Sequence, residues 1–471
     1  MTTPASDLRP AGEDQPREQP LIPLRENLLR SRAVSGLLRS RWYPGVFQLP
    51  VAAVFGFVAY QLLAGPDRAA HNSGTALMWV LWWPVLPAVF VLLGRFWCAV
   101  CPFGAISDLV QRLVGVNRPV PRFLKTYGIW IIDAQFLAIT WSDHIWGIVE
   151  SPWGSGVLLL LLTTGVVASG AFLQRRAFCR YLCFLGGLCG NYGRTGMLQL
   201  RADQEACRTC TSRAACYNGT ATVPGCPLFS FPRTMDSTAN CNLCANCIKA
   251  CPHDAIRIRV RPPASELGSV RTPRAEESFL AMAIMGIVLI QNVTMLGIWN
   301  DALAAVAATT GITSPAVVFT LAFGVAVTAP VALLAAMSRA ASAGNGVGIW
   351  VNFARFGYAL IPLDIAAHLA HNLFHLLAEG GTVITTVLVT FGAGDGTGQA
   401  ALAGPGTIRA LQYLLLAAGV AGSVYTALRI ARRHHAERLE RRATVLPFLA
   451  LISLLAMVNA YLFVLPMGMR M

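Results

Sequence analysis

Charge is scarce in this 471-residue chain: Asp, Glu, Lys and Arg make up 13%, against 55% hydrophobic residues, where soluble proteins hold roughly 25% charged residues. That excludes an ordinary soluble globule and predicts an α-helical polytopic membrane protein with a small soluble insert. Cysteine is missing from the last 220 residues; all thirteen fall between Cys98 and Cys251. Such crowding excludes a disulfide frame spread along the chain and points to metal ligands in a reducing compartment. Residues 1 to 45 lack an apolar core of their own, so they read as no cleavable signal but as a loosely ordered basic cytoplasmic tail, with an amphipathic turn around Leu28 to Leu38. The chain offers neither a hydrolytic triad nor a nucleotide fold. Its Gly-rich stretch 392 to 406 does not satisfy G-x-G-x-x-G and follows no strand, so it reads as an outer loop. A stand-alone enzyme acting on a small organic substrate is therefore not expected.

Apolar stretches near the 20 or so residues needed to cross a bilayer fall at 46–64, 75–94, 127–142, 154–174, 278–299, 315–337, 350–378, 408–429 and 446–466. With the amino terminus inside, alternation leaves only Arg68, Arg409 and Arg470 of the 37 basic residues outside. This is the asymmetry of the positive-inside rule, and it accounts for the net charge of +14 without a nucleic-acid partner. The expected location is the inner (cytoplasmic) membrane, with a cytoplasmic amino terminus and an extracytoplasmic carboxyl terminus.

Between the fourth and fifth stretches, Asn240 to Ile256 reads NCNLCANCIKACPHDAI and sets Cys241, Cys244, Cys247 and Cys251 in a C-x2-C-x2-C-x3-C-P run. This spacing is a ferredoxin signature for a 4Fe-4S cluster; a structural zinc site would pair two C-x2-C units across a longer gap. The fourth cysteine of such a run normally serves a neighbouring cluster. Upstream, Cys207, Cys210, Cys216 and Cys226-Pro227 keep the same order with stretched intervals. Exchange then predicts one cluster on Cys207, Cys210, Cys216 and Cys251 and another on Cys241, Cys244, Cys247 and Cys226. Residues 200–262 become a small α+β two-cluster ferredoxin-like domain, between a four-helix membrane unit (46–199) and a five-helix unit (276–471).

A second cysteine system flanks the membrane. The second and fourth apolar stretches end in similar phrases, RFWCAVCPFGA from Arg95 and RAFCRYLCFLGGLC from Arg176. Both place two cysteines at the membrane edge, as in a duplicated unit. Cys98, Cys101, Cys179 and Cys183 would bind a further cluster or metal or form a redox-active thiol set, with Cys189 left over.

These phrases, followed by the two-cluster ferredoxin, resemble the membrane polyferredoxin family that includes NapH and the carboxyl-terminal half of NosR, over about residues 40–262. More distantly the architecture is similar to CcoG. The resemblance implies electron transfer between the quinone pool or a cytoplasmic donor and an extracytoplasmic respiratory or maturation partner. Two alternatives stand beside it: an accessory role in copper reduction for assembly of a respiratory metalloenzyme, and a redox sensor. The first phrase departs from the family's usual C-x3-C-P, and Phe184 stands where the second usually has proline.

The stretch 350–378 contains Asp364, His368, His371 and His375. At about 100° per residue they share a stripe roughly 60° wide. Ionisable groups are costly in a membrane, so the stripe, expected in the outer half of its helix, reads as a copper site, a haem ligand, or a quinol or proton site. His71 and His144 in outer loops and Met467, Met469 and Met471 would lie on the same side. His253, beside Cys251, would tune or pack against a cluster. His434 and His435 are expected on a solvated inner face near anionic lipid.

Overall fold

The computed structural model describes residues 27–212, 215–394, 398 and 400–468. Met469, Met471 and residues 1–26 of the expected tail lie outside them.

Among the described residues eight helices are long and apolar enough to cross a membrane. They begin with α2 (Gly45–Ala64). The next is the broken stretch Ser73–Val114, which contains a π-helical segment (Ala76–Trp82), α3 (Trp83–Leu93), α4 (Trp97–Val100) and α5 (Pro102–Val114). The expected span at 127–142 lies in α6 (Arg122–Trp146). At about 1.5 Å per residue α6 is long enough to cross, but Arg122, Lys125, Asp133 and Asp143 dilute its apolar character, and it is not among the eight. His144 therefore sits on this helix, its ring stacked on Phe319 at 4.6 Å, rather than in a loop. Next come α7 (Pro152–Phe172), α8 (Ala177–Tyr181) and α9 (Phe184–Tyr192). Ser151 caps α7 by accepting from the Gly154 amide at 3.0 Å, and Pro152 at the first helical position costs no hydrogen bond.

The insert pairs β1 (Leu198–Ala202) antiparallel with β2 (Ile256–Val260), Leu200 opposite Ile258, and α10 (Asn246–Ala250) packs beside them. Its core also takes in Leu38 and Tyr43, with Leu28, Leu29 and Val34 against it. The segment from Asn27 to Tyr43, including α1 (Arg32–Arg39), is thus part of the folded insert. Asn27 accepts from the Ile258 amide at 3.1 Å, Arg39 meets Asp254 at 2.6 Å, and Tyr43 Oη donates to the Leu243 carbonyl at 2.8 Å. The expectation of a loose tail fails there because the apolar side of the amphipathic turn is buried on the ferredoxin instead of facing lipid.

The second membrane unit holds α11 (Ala275–Thr294), α12 (Gly297–Thr310), α13 (Pro315–Asn345), α14 (Ile349–Ala378), α15 (Gly380–Thr390), α16 (Pro405–His434) and α17 (Arg438–Val464). The short helices α12 and α15 were not legible as separate elements. Helix α14 is the most enclosed of the candidate spans; Phe356 stacks on Phe448 of α17 at 4.0 Å. By contrast Leu160, Leu161, Leu321 and Val325 point outward, a surface suited to lipid. His435 is buried against Glu440, its Nδ1 2.7 Å from Oε1, rather than solvated.

Candidate iron-sulfur site and its membrane contacts

The two cysteine phrases adopt one local design. Each has a short helix carrying the first cysteine, Cys98 on α4 and Cys179 on α8, then a second cysteine in extended conformation before a new helix. In the first phrase Pro102 enforces this: proline disfavours helical geometry in the residue before it and fits the first position of α5, and Cys101 takes φ −58°, ψ 132°. In the second Cys183 reaches φ −86°, ψ 116° without proline. The Phe184 amide, which proline would lack, donates to Gln135 of α6 at 3.1 Å.

The structure brings these phrases together. Cys98, Cys101, Cys179 and Cys183 interact electrostatically with one another, and the fifth cysteine, Cys189, hydrogen-bonds Cys98. Two arginines, 3% and 4% exposed, enclose the group. Arg95 donates to Cys98 Sγ at 3.4 Å and to the Cys179 carbonyl at 3.3 Å. Arg176 donates to the Cys98 carbonyl at 2.6 Å and grips Asp108 through two bonds of 3.0 and 2.6 Å. Neither arginine, nor Asp108, carries a spacing signal of its own in the sequence; each opens or follows one of the cysteine phrases.

In the insert, Cys207, Cys210, Cys216 and Cys251 line one small cavity, with His253 at its wall. Cys241, Cys244, Cys247 and Cys226 form the other mutually interacting group, and Cys247 also feels Cys216, so the two groups adjoin. Leu243 and Ala245, between the cysteines of the tight run, have φ of 57° and 64°, left-handed values rare for residues other than glycine. This folding aims amides at sulfur: Leu243 bonds Cys241 and Asn246 bonds Cys244. Cys226 accepts from Ser230 and Cys251 from Ala255, both at 3.3 Å. Burial nevertheless pushes the thiols up, Cys216 and Cys241 to about 11 and Cys244 to about 12. Enclosed sulfurs that resist ionisation alone, yet receive amide hydrogen bonds, fit ligands whose charge a bound metal cluster would compensate.

Contacts join the insert to the membrane group. Arg95 Nη1 donates to the Ala239 carbonyl at 2.6 Å and Asn242 Nδ2 to the Cys98 carbonyl at 3.4 Å. Arg176 interacts electrostatically with both Cys179 and Cys244. The cysteine groups therefore form a row: the Cys207 group, the Cys241 group, then the Cys98 group.

The histidine stripe does not converge. Among the described residues no three His, Cys, Asp or Glu side chains meet around one metal-ion position; a four-iron cubane spreads its ligands more widely than an ion does. His371 Nδ1 pairs with Asn292 Oδ1 at 2.8 Å and His375 Nδ1 with Glu379 Oε1 at 3.2 Å. Asp364 Oδ2 and His368 Nδ1 each lie 3.1 Å from Tyr192 Oη. Since Tyr192 ends α9, just after the second cysteine phrase, the stripe starts beside the cysteines instead of being confined to the opposite side of the membrane.

A cavity of about 570 Å³ opens between α2, α3, α6 and α7. Cys101, Trp82 and Trp97 border it, and Thr140 and Asp143 supply polar groups farther along α6. The indole Nε1 atoms of Trp82 and Trp97 are buried and make no hydrogen bond.

The model of a 4Fe-4S binding domain matches residues 75–121 and 155–198. It falls on the two membrane-edge phrases, one match to each, rather than on the ferredoxin run. A relative from Escherichia coli (strain K12), named "Putative electron transport protein YccM", is 22% identical over 281 residues, covering 54% of this chain and 74% of the relative. No solved structure matches the chain. The chain thus carries a 4Fe-4S binding domain within a multi-helix membrane protein, and the comparisons support an iron-sulfur electron-transfer role. They do not single out NapH or NosR.

Proposed function

We propose that this protein conducts single electrons through three four-cysteine sites, on Cys207, Cys210, Cys216 and Cys251, on Cys226, Cys241, Cys244 and Cys247, and on Cys98, Cys101, Cys179 and Cys183. The observation that carries this reading is the direct contact between the loop of the second group and the third, through Arg95, Ala239, Asn242 and Cys98. A 4Fe-4S cluster bound at each site supplies a one-electron carrier. The protein's part is to hold the thiolates, exclude water and stabilise charge with amide and guanidinium donors.

The route joins a cytoplasmic-side donor or a quinol to an extracytoplasmic partner, with the insert inside as the arginine distribution favours. The quinol belongs in the apolar cavity rather than on the histidines: its wall is built from aliphatic and aromatic side chains that suit a quinone ring and tail, and Cys101 stands at the same wall. Iron analysis with electron paramagnetic resonance on the purified chain tests the reading. About twelve irons per chain and three reducible centres are expected. Eight irons, with no loss on Cys101→Ser, would remove the membrane site.

A further inference from the structure

Tyr192, Asp364 and His368 form a closed polar island, 0%, 0% and 3% exposed, in the apolar interior. Tyr192 Oη stands 3.1 Å from both Asp364 Oδ2 and His368 Nδ1. The His368 ring packs at 6.0 Å from Trp83 and 5.8 Å from Tyr192. Asp364 Oδ1 is buried with no partner. A phenol has one proton, so it donates in only one of its two contacts. In one arrangement His368 donates from Nδ1 to the phenol and the phenol donates to an ionised Asp364. In the other a protonated Asp364 donates to the phenol, which donates to a bare Nδ1 while the ring proton sits on Nε2. Both arrangements satisfy both bonds without moving a heavy atom. They differ by one proton on the site.

Few other charges act there. The buried faces of α3, α13, α15, α16 and α17 and of the π-helical segment carry no Asp, Glu, Lys, Arg or His. From α9 comes Cys189, three residues before Tyr192 and hydrogen-bonded to Cys98, whose neighbour is Arg95. From α11 comes Glu277, paired with Arg194 at 2.8 Å and with Tyr358 of α14. Along α14 itself follows His371, whose ring is 5.1 Å from that of His375, which reaches Glu379. This line of exchangeable groups, all buried, continues along α14 away from the insert.

We propose that Tyr192, Asp364 and His368 form a proton-binding site coupled to reduction at Cys98, Cys101, Cys179 and Cys183. The inference rests on the reading that these cysteines hold a redox centre. An electron arriving from the insert adds negative charge beside Cys189; one proton from water then settles on Asp364, and leaves on oxidation. Electron and proton enter in equal number, so the region's charge is unchanged.

Redox titration of the full-length protein followed by electron paramagnetic resonance over two pH units tests this. In the wild type the membrane centre's midpoint potential falls by about 59 mV per tenfold drop in proton concentration, one proton per electron. In Asp364→Asn the dependence disappears, while the insert centres keep their potentials. Tyr192→Phe, which preserves the ring and its packing, also flattens it. Wild-type infrared spectra gain a protonated-carboxyl band on reduction, which settles the matter without a variant. A third centre with a flat profile, no such band, or an unchanged slope in Asp364→Asn overturns the proton site alone. Absence of a third centre overturns the underlying reading, and this inference with it.

Discussion

Arg95 Nη1 stands 2.6 Å from the carbonyl oxygen of Ala239, tying a residue at the membrane edge to the insert 144 positions later. The same guanidinium reaches Cys98 Sγ at 3.4 Å. Removing one partner of a buried charged network costs roughly 3–5 kcal/mol. Arg95→Gln is therefore expected to lower thermal stability by an amount of that order and to weaken magnetic coupling between the second and third centres. Differential scanning calorimetry and power-saturation spectra check the two effects.

Each four-cysteine group makes a separate forecast. Cys101→Ser and Cys183→Ser each reduce iron by about four atoms per chain and leave the insert signals in place. Cys244→Ser removes the second centre and interrupts reduction of the third by an inner-side donor. Iron analysis and single-turnover reduction measure these losses.

Glu266, 1% exposed, anchors the insert by accepting from Ser237 at 2.7 Å and pairing with Arg201 at 2.8 Å and with Arg261. Burial alone would push its carboxyl up, but Arg261 and Arg201 outweigh that and hold it at about 2. Its contribution is fully present above the ordinary carboxylate range near 4.5 and is lost as pH falls towards 2. Glu266→Gln should remove that stretch of the acid profile and destabilise the insert at neutral pH by about 3–5 kcal/mol. Acid titration of the visible iron-sulfur absorbance reads both.

Trp97→Phe shortens one aromatic wall of the cavity. The lost apolar contact is worth roughly 25 cal/mol per Å², so quinol affinity should fall by up to about tenfold. Leu162→Trp, which narrows the cavity, should weaken binding while leaving iron content unchanged. Equilibrium titration with a short-chain quinol analogue distinguishes these outcomes.

What the sequence made legible was periodic or spaced. The C-x2-C-x2-C-x3-C-P run and the repeated phrases at Cys98 and Cys179 announce themselves because metal chemistry fixes intervals. Spanning helices announce themselves because lipid demands length; α15, with 11 residues, falls below that length. Periodicity placed His368, His371 and His375 on one stripe but could not say whether they converge. Seven residues of helix separate the outer two by about 10 Å along the axis, too far for one ion, and each takes its own partner. Tyr192, Arg95 and Asn242 were invisible because a lone polar residue whose partner is distant in sequence carries no local pattern.

The segment from Asn27 to Tyr43 is held by bonds to residues 200 to 231 positions away. None of these partners exists when that segment leaves the ribosome, and several spanning helices must be inserted in the interval. The apolar face of α1 therefore waits uncovered until Ile258 has been made, and the segment closes over the Cys241 loop as a late event of biogenesis. Metal delivery to the insert thus has an open interval before the cover is in place, and repair of a damaged centre in the mature protein would require that cover to lift again.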